Sequence, residues 1–311
     1  MSPSQPAAAA YSVVVVTWNC AAHLRALVAS MNRHLDGSQE LIVVDNASDD
    51  APGEVAAGWK GPWRFIELGY NAGFGVASNA GVAEAGAAAT VLLNPDTELL
   101  DDGLERLAAG ALRERAILGP RVLNPDGTRQ PSASGPPTGA WPWVRAVVPG
   151  ALAPPPLRAR TEPWRLGRPT RVSWLTGACI AAPRELLIGL GPFDESIHLY
   201  GEDLDLGLRA AAAGVESWFR PDLTRIVHLG GRSAAMRFDD GGAALRASIR
   251  RTVVRRAYGP GPERRAHAAQ LLNLRLRVAT KRLLGRGGGR EWAELRAIAE
   301  AEPAGGPNWP G

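Results

Sequence analysis

The chain has 311 residues, of which 45% are hydrophobic and 21% charged, so it is long enough to bury one large core or two modest ones. Its apolar runs all stop short of the roughly 18 residues that span a bilayer, and we therefore expect no transmembrane segment. Charge is uneven, because residues 1–110 hold 13 acidic and 5 basic side chains, a net charge of −8, whereas the whole chain is +4 and the remainder therefore +12.

The first hundred residues alternate between strand and helix patterns. Residues 1–10 are predicted to be a disordered tail that leads into a β-branched strand over 11–17, and apolar residues at helical spacing from Leu24 to Met31 follow it. Further strands are predicted over 40–45 and 63–68. This βαβ alternation indicates a mostly parallel sheet that is covered by helices.

The two cysteines, Cys20 and Cys179, form no CxxC pattern. Cys20 begins the first predicted helix and Cys179 lies in an apolar strand, so we expect two free thiols rather than a disulfide. Such thiols are typical of a reducing cytoplasm.

An apolar strand at residues 90–93 ends abruptly in the turn Asn94-Pro95-Asp96. Ligands of open α/β sheets bind outside the carboxyl ends of the strands, where Asp96 would project. A carboxylate there suits Mg²⁺ or Mn²⁺, with substrate phosphates completing the coordination shell. An acidic half that binds an anionic ligand needs such a cation, although this segment alone slightly favours a plain turn.

Two other glycine- or proline-containing segments are weaker candidates for a site. Gly73-Phe74-Gly75 opens a predicted helix that runs towards Gly86, but the GxGxxG spacing after the first strand is absent, which excludes an NAD site. The segment 124–128 repeats the Asn-Pro-Asp triplet and continues with glycine, so we predict a hairpin turn there and no site. A helix is expected between these segments, from about Asp101 to Arg115.

Residues 131–170 are rich in Pro, Trp, Arg and Gly and show no clear period. We expect a long loop or flap over this range. Its tryptophans, at positions 141, 143 and 164, could stack on a sugar or lipid acceptor or could serve local packing, and the sequence favours neither.

Regular patterns return with an apolar run over 172–182 and a helix after Pro183. Glu202 and Asp203 fall in the first turn of a further predicted helix, where the helix dipole favours anions. They either cap that helix or supply a general base. A single histidine on such a segment is usually structural, but His228 follows a short strand and precedes a glycine pair, a position that suits a ligand role.

The remainder of the chain is basic and helical in pattern. We predict a helical extension over 232–300 and a frayed tail over 301–311, with arginines interleaved among leucines. A solvated basic face and a helix lying on an anionic membrane surface are both compatible with this pattern.

Taken in order, these segments resemble the family 2 glycosyltransferases of the GT-A type, particularly bacterial rhamnosyltransferase-like members. The resemblance covers roughly residues 11–235, and each motif is weak by itself while the ordered set is highly specific. The matching segments are 13–19, Asp45-Asn46-Ala47-Ser48, Asn71-Ala72-Gly73-Phe74-Gly75 with Asn79, Asn94-Pro95-Asp96, Thr176-Gly177-Ala178, 191–195, 200–206 and His228.

The resemblance implies an α/β fold of the GT-A (Rossmann-like) type, with a mostly parallel sheet between helices and a basic helical C-terminal extension. The GT-A domain would span 11–231, with a nucleotide-sugar half over 11–120 and an acceptor and catalytic half over 121–231.

The resemblance also implies roles for individual residues. Asp203 would be the catalytic base, supported by Glu202; Asp96 and His228 would contact Mn²⁺ or Mg²⁺ and the diphosphate; and Thr17, Asn19, Asp45, Asn71, Gly73, Asn79 and Asn94 would bind the donor, with Asp45 at the edge of uracil or thymine.

The activity expected from the resemblance is inverting transfer from dTDP-rhamnose or a UDP-sugar to a hydroxyl of a glycan or polyprenyl-linked acceptor. Asn94 stands where the family's metal motif has its first acid, which leaves one carboxylate. We expect a cytoplasmic protein at the inner face of the membrane, with peripheral contact through the basic helices and no nucleic-acid partner. The alternative is a catalytically inactive sugar-nucleotide-binding or scaffold protein of the same fold, against which the intact Glu202-Asp203 pair argues.

Overall fold

A computed structural model of the protein describes residues 9–150, 152–230, 242–285 and 289–303. The main sheet has eight strands in the order β3-β2-β1-β4-β11-β6-β12-β9. These strands are β1 (Ser12–Thr17), β2 (Glu40–Asp45), β3 (Trp63–Glu67), β4 (Ala89–Leu93), β6 (Ile117–Gly119), β9 (Thr170–Val172), β11 (Cys179–Pro183) and β12 (Ser217–Phe219).

The first four neighbours in this sheet, β3, β2, β1 and β4, are parallel, and β11 then runs antiparallel between β4 and β6. All six residues of β1 and of β2 are buried, and their β-branched side chains suit a strand that is covered on both faces. The predicted α/β class with a mostly parallel sheet is confirmed.

Helices lie against both faces of this sheet and over its ends. Those before residue 130 are α1 (Ala21–His34), α2 (Pro52–Ala56), α3 (Phe74–Glu84) and α4 (Leu104–Glu114), and later ones are α5 (Trp141–Val147), α6 (Pro155–Thr161), α7 (Arg184–Leu190) and α8 (Glu202–Ala212). Leu24, Leu27 and Met31 of α1 are fully buried against the sheet, as their helical spacing predicted.

A second, three-stranded sheet carries residues of both halves of the chain. It has the order β5-β13-β7, with β5 (Thr97–Leu99), β13 (Arg225–His228) and β7 (Arg121–Leu123). In its register His228 lies opposite Thr97, directly after Asp96 in the chain. This small sheet therefore brings together two candidate residues that are more than a hundred positions apart.

The expected long loop over residues 131–170 is wrong. That range contains β8 (Ala133–Ser134), which pairs with β10 (Trp174–Leu175), together with α5, α6 and a short 3-10 helix over Pro163–Arg165. Each of these helices has a proline in its first turn, where the missing N–H costs no hydrogen bond. The prolines that suggested a loop are thus helix starts.

The tryptophans of this range have different surroundings. Trp164 packs against the core residues on one face of the main sheet, whereas Trp143 is 38% exposed. Trp141 lines a cavity beside α10. Local packing therefore accounts for Trp164.

The C-terminal region is helical in its described part, with α9 (Ala243–Tyr258), α10 (Pro260–Leu283) and α11 (Gly289–Glu300). These helices bury a small core of their own, and Glu263 of α10 is only 1% exposed between Arg251 and Arg255 of α9. Residues 1–8 of the predicted tail, 231–241 and 304–311 lie outside the described residues. The domain limits at 120 and 231 stay predictions.

Two further expectations concern the whole chain. The cysteines are free thiols, with Cys179 buried in β11 and Cys20 at the start of α1, as expected. None of the helices in the described segments has the length and hydropathy needed to cross a bilayer.

Candidate active site

Asp96 and His228 face each other at the edge of the small sheet. Nε2 of His228 lies 3.1 Å from Oδ1 of Asp96, and the two side chains are only 15% and 20% exposed. The backbone N–H of Gly230 donates to the other carboxylate oxygen of Asp96 at 3.1 Å. The two residues predicted as metal or diphosphate contacts therefore form one pair.

The orientation of the His228 ring is determined by Gln130. The side-chain amide nitrogen of Gln130 donates to Oδ1 of Asn124 at 2.9 Å and to the backbone carbonyl of His228 at 3.2 Å. Its amide oxygen must therefore be the atom 2.7 Å from Nδ1 of His228, and Nδ1 must carry a proton to donate to it. This leaves Nε2 directed at Asp96 and at the amide of Asn94, 3.4 Å away.

A neutral His228 in this tautomer directs a lone pair at a carboxylate oxygen, so a proton or a cation must lie between the two atoms. When a proton lies there, His228 is an imidazolium. Burial opposes ionisation of Asp96, but the hydrogen bond and charge of this imidazolium, together with backbone N–H groups, then hold the pKa of Asp96 below the ordinary value. The pair is therefore suited to a divalent cation with one nitrogen and one oxygen ligand.

The protein supplies too few ligands to hold such a cation alone. No group of three or more His, Cys, Asp and Glu side chains with the geometry of a metal site occurs in the described ranges. Asn94, at the position of the family's first acid, offers at most an amide oxygen. Oxygens of a substrate diphosphate would complete the shell, as is usual for Mg²⁺.

Asp203 and Glu202 lie in the first turn of α8, as predicted. The turn before them is strained at Tyr200, whose φ of +68° is rare for a bulky side chain. Gly201 follows with a φ of +83°, which glycine adopts without strain. A Cβ on Gly201 would lie 2.6 Å from Cγ2 of Ile249, so only glycine fits this close approach to α9.

Burial raises the pKa of both carboxyl groups. Asp203 is partly stabilised as an anion by backbone N–H groups of Leu204 and Gly177 and by Arg250, whereas the pKa of Glu202 is raised first by burial and then by Asp203. Glu202 is only 9% exposed, and its Oε2 has no hydrogen-bond partner in the part of the chain that the structure describes. Glu202 therefore holds its proton at a pH where Asp203 is ionised.

One two-residue turn, Gly177-Ala178, joins the two parts of the site. The N–H of Gly177 donates to Oδ2 of Asp203 at 3.2 Å, and the carbonyl of Ala178 accepts from the N–H of Asn94 at 3.1 Å. The Asp96–His228 pair and the carboxylate of Asp203 are thus held on either side of the same short stretch of backbone.

Asp45 and Thr17 end adjacent strands, in register with each other. Asp45 accepts hydrogen bonds from the hydroxyl of Thr17 and the N–H of Ser48, both at 2.8 Å, and from the hydroxyl of Ser48. A carboxylate has about four lone-pair directions, so Asp45 retains one for a base edge. Asn19 is exposed and has φ +49°, and its side chain accepts from the N–H of Asp49.

The loop before α3 is closely packed. Gly73 has φ +89°, and a Cβ there would lie 2.5 Å from the carbonyl oxygen of His198. Asn71 accepts from the N–H of Gly73 at 3.1 Å, and Asn46 bonds to Ala72 and Gly73 from the end of β2. These contacts connect the Asp45 turn with the 71–73 loop.

Asn79 is placed differently from the other candidates. Its amide donates to the carbonyl of Phe193 and to Glu195 and accepts from the N–H of Phe193. In this arrangement the whole amide of Asn79 anchors the 193–195 loop on α3.

Sequence reasoning did not identify the roles of three residues of the site. Gln130 and Asn124 were not among the candidates, and Gly177 was not expected to donate a hydrogen bond to Asp203. Asn124 belongs to the second Asn-Pro-Asp triplet, which does form the predicted turn, with the N–H of Gly127 donating to the carbonyl of Asn124 at 2.9 Å. The Asn124 side chain nevertheless supports the Gln130–His228 contact. The hairpin itself was the available signal, because it returns the chain to the β7 edge that adjoins β13.

Comparisons with known proteins identify the family and the fold. Residues 12–152 match a family model that is described as "Glycosyl transferase family 2". The N-acetylglucosaminyl-diphospho-decaprenol L-rhamnosyltransferase of Mycobacterium tuberculosis is 30% identical over 234 residues, which are 70% of this chain and 75% of the relative. The O-antigen biosynthesis protein RfbC of Myxococcus xanthus is 29% identical over 198 residues, 60% of this chain but 14% of the relative.

Solved structures show the same fold at low identity. The mannosyltransferase PcManGT from Pyrobaculum calidifontis, solved with GDP-Man and Mn²⁺, has a TM-score of 0.54 at 18% identity and covers 94% of this chain and 76% of its own. GalNAc-T7, solved with UDP, GalNAc and Mn²⁺, also has a TM-score of 0.54, at 21% identity, over 70% of this chain and 42% of its own. The fold is GT-A, and the chain belongs to glycosyl transferase family 2 as a rhamnosyltransferase-like glycosyltransferase.

Proposed function

We propose that this glycosyltransferase moves a sugar, with inversion, from dTDP-rhamnose or a UDP-sugar to a hydroxyl of a glycan or polyprenyl-linked acceptor in cell-wall or polysaccharide biosynthesis. The observation that carries the proposal is the arrangement of the Asp96–His228 pair and Asp203 on either side of the Gly177-Ala178 turn. The name of the M. tuberculosis relative, a rhamnosyltransferase acting on a decaprenol diphosphate, supports the choice of sugar and acceptor.

On the donor side, Thr17, Asn19 and Asp45 would line the base and ribose, with the free lone pair of Asp45 accepting from a base N–H. Asn71, Gly73 and Asn94 would lie along the sugar and diphosphate. We expect Asn79 to act on the donor through the loop that it anchors, because its amide is already occupied.

Asp96 and His228 would hold Mn²⁺ or Mg²⁺ together with the diphosphate. When bound, the cation neutralises charge that develops on the leaving diphosphate. The presence of Mn²⁺ in the GalNAc-T7 and PcManGT structures supports a divalent ion. Gln130 fixes the Nδ1–H tautomer of His228, which keeps Nε2 available as a ligand.

Asp203 would take the proton of the acceptor hydroxyl as that hydroxyl attacks the anomeric carbon. Its raised pKa makes it a stronger base than an exposed aspartate. Glu202 would remain protonated, so that Asp203 is the only negatively charged carboxylate of the pair near the acceptor. Attack from the face opposite the diphosphate inverts the anomeric centre in one step.

The place of action follows from the acceptor. A polyprenyl-linked acceptor lies in a membrane, so we propose action in the cytoplasm at the inner face of the membrane. The arginines and exposed leucines of α10, such as Leu276 and Leu283, would supply peripheral contact.

The test combines binding and transfer. Thermal unfolding is measured with UDP-, GDP- and dTDP-sugars, each with and without Mn²⁺ or Mg²⁺, and the donor that stabilises the protein is then supplied with prenyl diphosphate-linked N-acetylglucosamine. We expect metal-dependent stabilisation by one nucleotide class and transfer with inversion. Asp96→Asn should remove the metal dependence, whereas Asp126→Asn, in the second Asn-Pro-Asp triplet, should not. Stabilisation without any transfer would favour the inactive sugar-nucleotide-binding protein.

A further inference from the structure

A cavity of about 240 Å³ lies between β8, β10, the helices α5 and α6, and the C-terminal helices. Its lining is strongly cationic. Four arginines from four different helices line it, namely Arg145, Arg160, Arg250 and Arg277, against the single carboxylate of Glu294. Two aromatic walls, Trp141 and Trp174, complete it.

The charges of these four arginines are only weakly compensated, since Glu294 is the one acidic residue of the lining and Asp203 acts on Arg250 without an ion pair among the described residues. Within the described ranges, none of them forms an ion pair with a carboxylate, in contrast to Arg251 on α9, which bonds Glu263 at 2.6 Å. The charge of Arg277 lowers the pKa of Glu291, but the two side chains form no ion pair in the described residues. Arg250 is half-buried beside Arg145. Desolvation and the charge of Arg145 lower the pKa of Arg250 to about 10, while the charge of Asp203 opposes them. An array of this kind is suited to an anion from outside the chain.

The cavity adjoins the base. Arg250 and Asp203 act on each other electrostatically, so the innermost arginine of the cavity lies near the base carboxylate. Trp174 packs directly against Gly207 of α8, where an added Cβ would be 2.5 Å from Cβ of Trp174. Three residues after Trp174, Gly177 donates its N–H to Asp203.

The size and lining of the cavity indicate what it holds. Pockets for whole drug-sized ligands are roughly 300–1,000 Å³, so a cavity of about 240 Å³ accommodates one group of a larger molecule. Arginine guanidinium groups match phosphate oxygens in pairs, and the aromatic walls suit the ring or chain on either side of such a group. The donor's own diphosphate is assigned to the Asp96–His228 end of the site.

We infer that this cavity, lined by Arg145, Arg160, Arg250 and Arg277, binds the diphosphate of a prenyl diphosphate-linked acceptor. The inference rests on the proposed function and adds to it the residues that recognise the acceptor. Binding of the diphosphate there would direct the attached sugar towards Asp203.

The experiment measures binding of farnesyl diphosphate by isothermal titration to the full-length protein and to three variants. Arg277→Gln removes an exposed arginine of the cavity, and Arg250→Gln removes the half-buried one. Arg275→Gln removes an exposed arginine that lies on the same helix as Arg277 but does not line the cavity. We expect each cavity variant to bind about tenfold to a hundredfold more weakly, and Arg275→Gln to bind like the unmodified protein. Arg277→Gln carries the test if Arg250→Gln fails to fold.

Inorganic diphosphate, farnesol and the donor are the comparison ligands. The inference predicts weaker binding of inorganic diphosphate, none of farnesol, and no displacement of farnesyl diphosphate by the donor. Equal binding by Arg277→Gln and Arg275→Gln overturns it. Inorganic diphosphate binding as tightly as farnesyl diphosphate, or displacement by the donor, would assign the cavity to a free anion or to the donor and also overturns it.

Failure of the proposed function would look different. Thermal stabilisation of the protein by donor and metal is measured separately in the unmodified protein and the three variants. We expect Arg277→Gln to leave this stabilisation unchanged. If no sugar is transferred although farnesyl diphosphate binding depends on Arg277, the cavity assignment is supported and only the transfer activity is lost.

Discussion

The side chain of Gln130 accepts a hydrogen bond from Nδ1 of His228 at 2.7 Å and so fixes which ring nitrogen faces Asp96. Gln130 comes from the strand-like segment after the 124–128 turn, and His228 from β13. Metal ligands depend on such partners for orientation and basicity, and losing one typically costs about 10–100-fold in metal affinity.

Replacing Gln130 by leucine should therefore weaken metal binding without removing a ligand. We expect Gln130→Leu to need about 10–100 times more Mn²⁺ for half-maximal stabilisation in the presence of the donor. Asn124→Ala should cause a smaller shift in the same direction, because the carbonyl of His228 still orients Gln130. Arg129→Gln, at the exposed neighbouring position, is the control. An unchanged Mn²⁺ requirement in Gln130→Leu would exclude this supporting role.

Asp203→Asn tests the base. The amide cannot accept the acceptor's proton, so we expect turnover to fall by about 10²–10⁴-fold, with donor stabilisation retained. As the proposed base, Asp203 acts in its ionised form, so we expect activity to fall as the pH drops through a pKa above the ordinary value of about 3.9. Rates measured from pH 4 to 9 give this midpoint. Turnover by Asp203→Asn at the unmodified rate would remove Asp203 from the role.

Much of this site could be predicted because its residues end strands. Thr17, Asp45 and Asp96 follow apolar, β-branched runs, and the carboxyl ends of parallel strands meet at one edge. The first turn of α8 was equally visible from the apolar spacing after Asp203. Local periodicity therefore predicted both the sheet edge and the helix that carry the candidate site.

The remainder depends on contacts that local patterns do not encode. Gln130 reaches His228 across 98 positions through the pairing of β7 with β13, and strands of three or four residues leave little periodicity to detect. Between Pro142 and Pro163, prolines at helix starts resembled loop prolines, which hid α5 and α6 and with them part of the arginine-lined cavity.

Glu202→Gln should make stability less dependent on pH. The pKa of Glu202 is raised in the folded protein, so its contribution is fully present below the unfolded pKa and is lost as the pH rises through the folded one. A glutamine cannot ionise and avoids that loss. We expect the melting temperature of Glu202→Gln, relative to the unmodified protein, to rise between pH 5 and pH 9. Glu185→Gln, at an exposed glutamate, should show no such trend, and a parallel trend in both variants would contradict the prediction.

Gly201→Ala separates backbone conformation from packing at the turn before the base. Its φ of +83° disfavours alanine, and the new Cβ would also collide with Ile249. Gly214, at the other end of α8, has a similar φ of +78° with nothing within 4 Å of the added Cβ. Gly214→Ala therefore measures the conformational cost alone, about 1–2 kcal/mol.

We expect Gly201→Ala to lose more free energy of unfolding than Gly214→Ala and to lose activity as well, because the collision displaces the first turn of α8 and with it Asp203. The free energies come from urea unfolding, and turnover is compared at saturating donor. Equal losses of stability in the two variants, with activity intact in both, would show that the contact between α8 and α9 does not position the base.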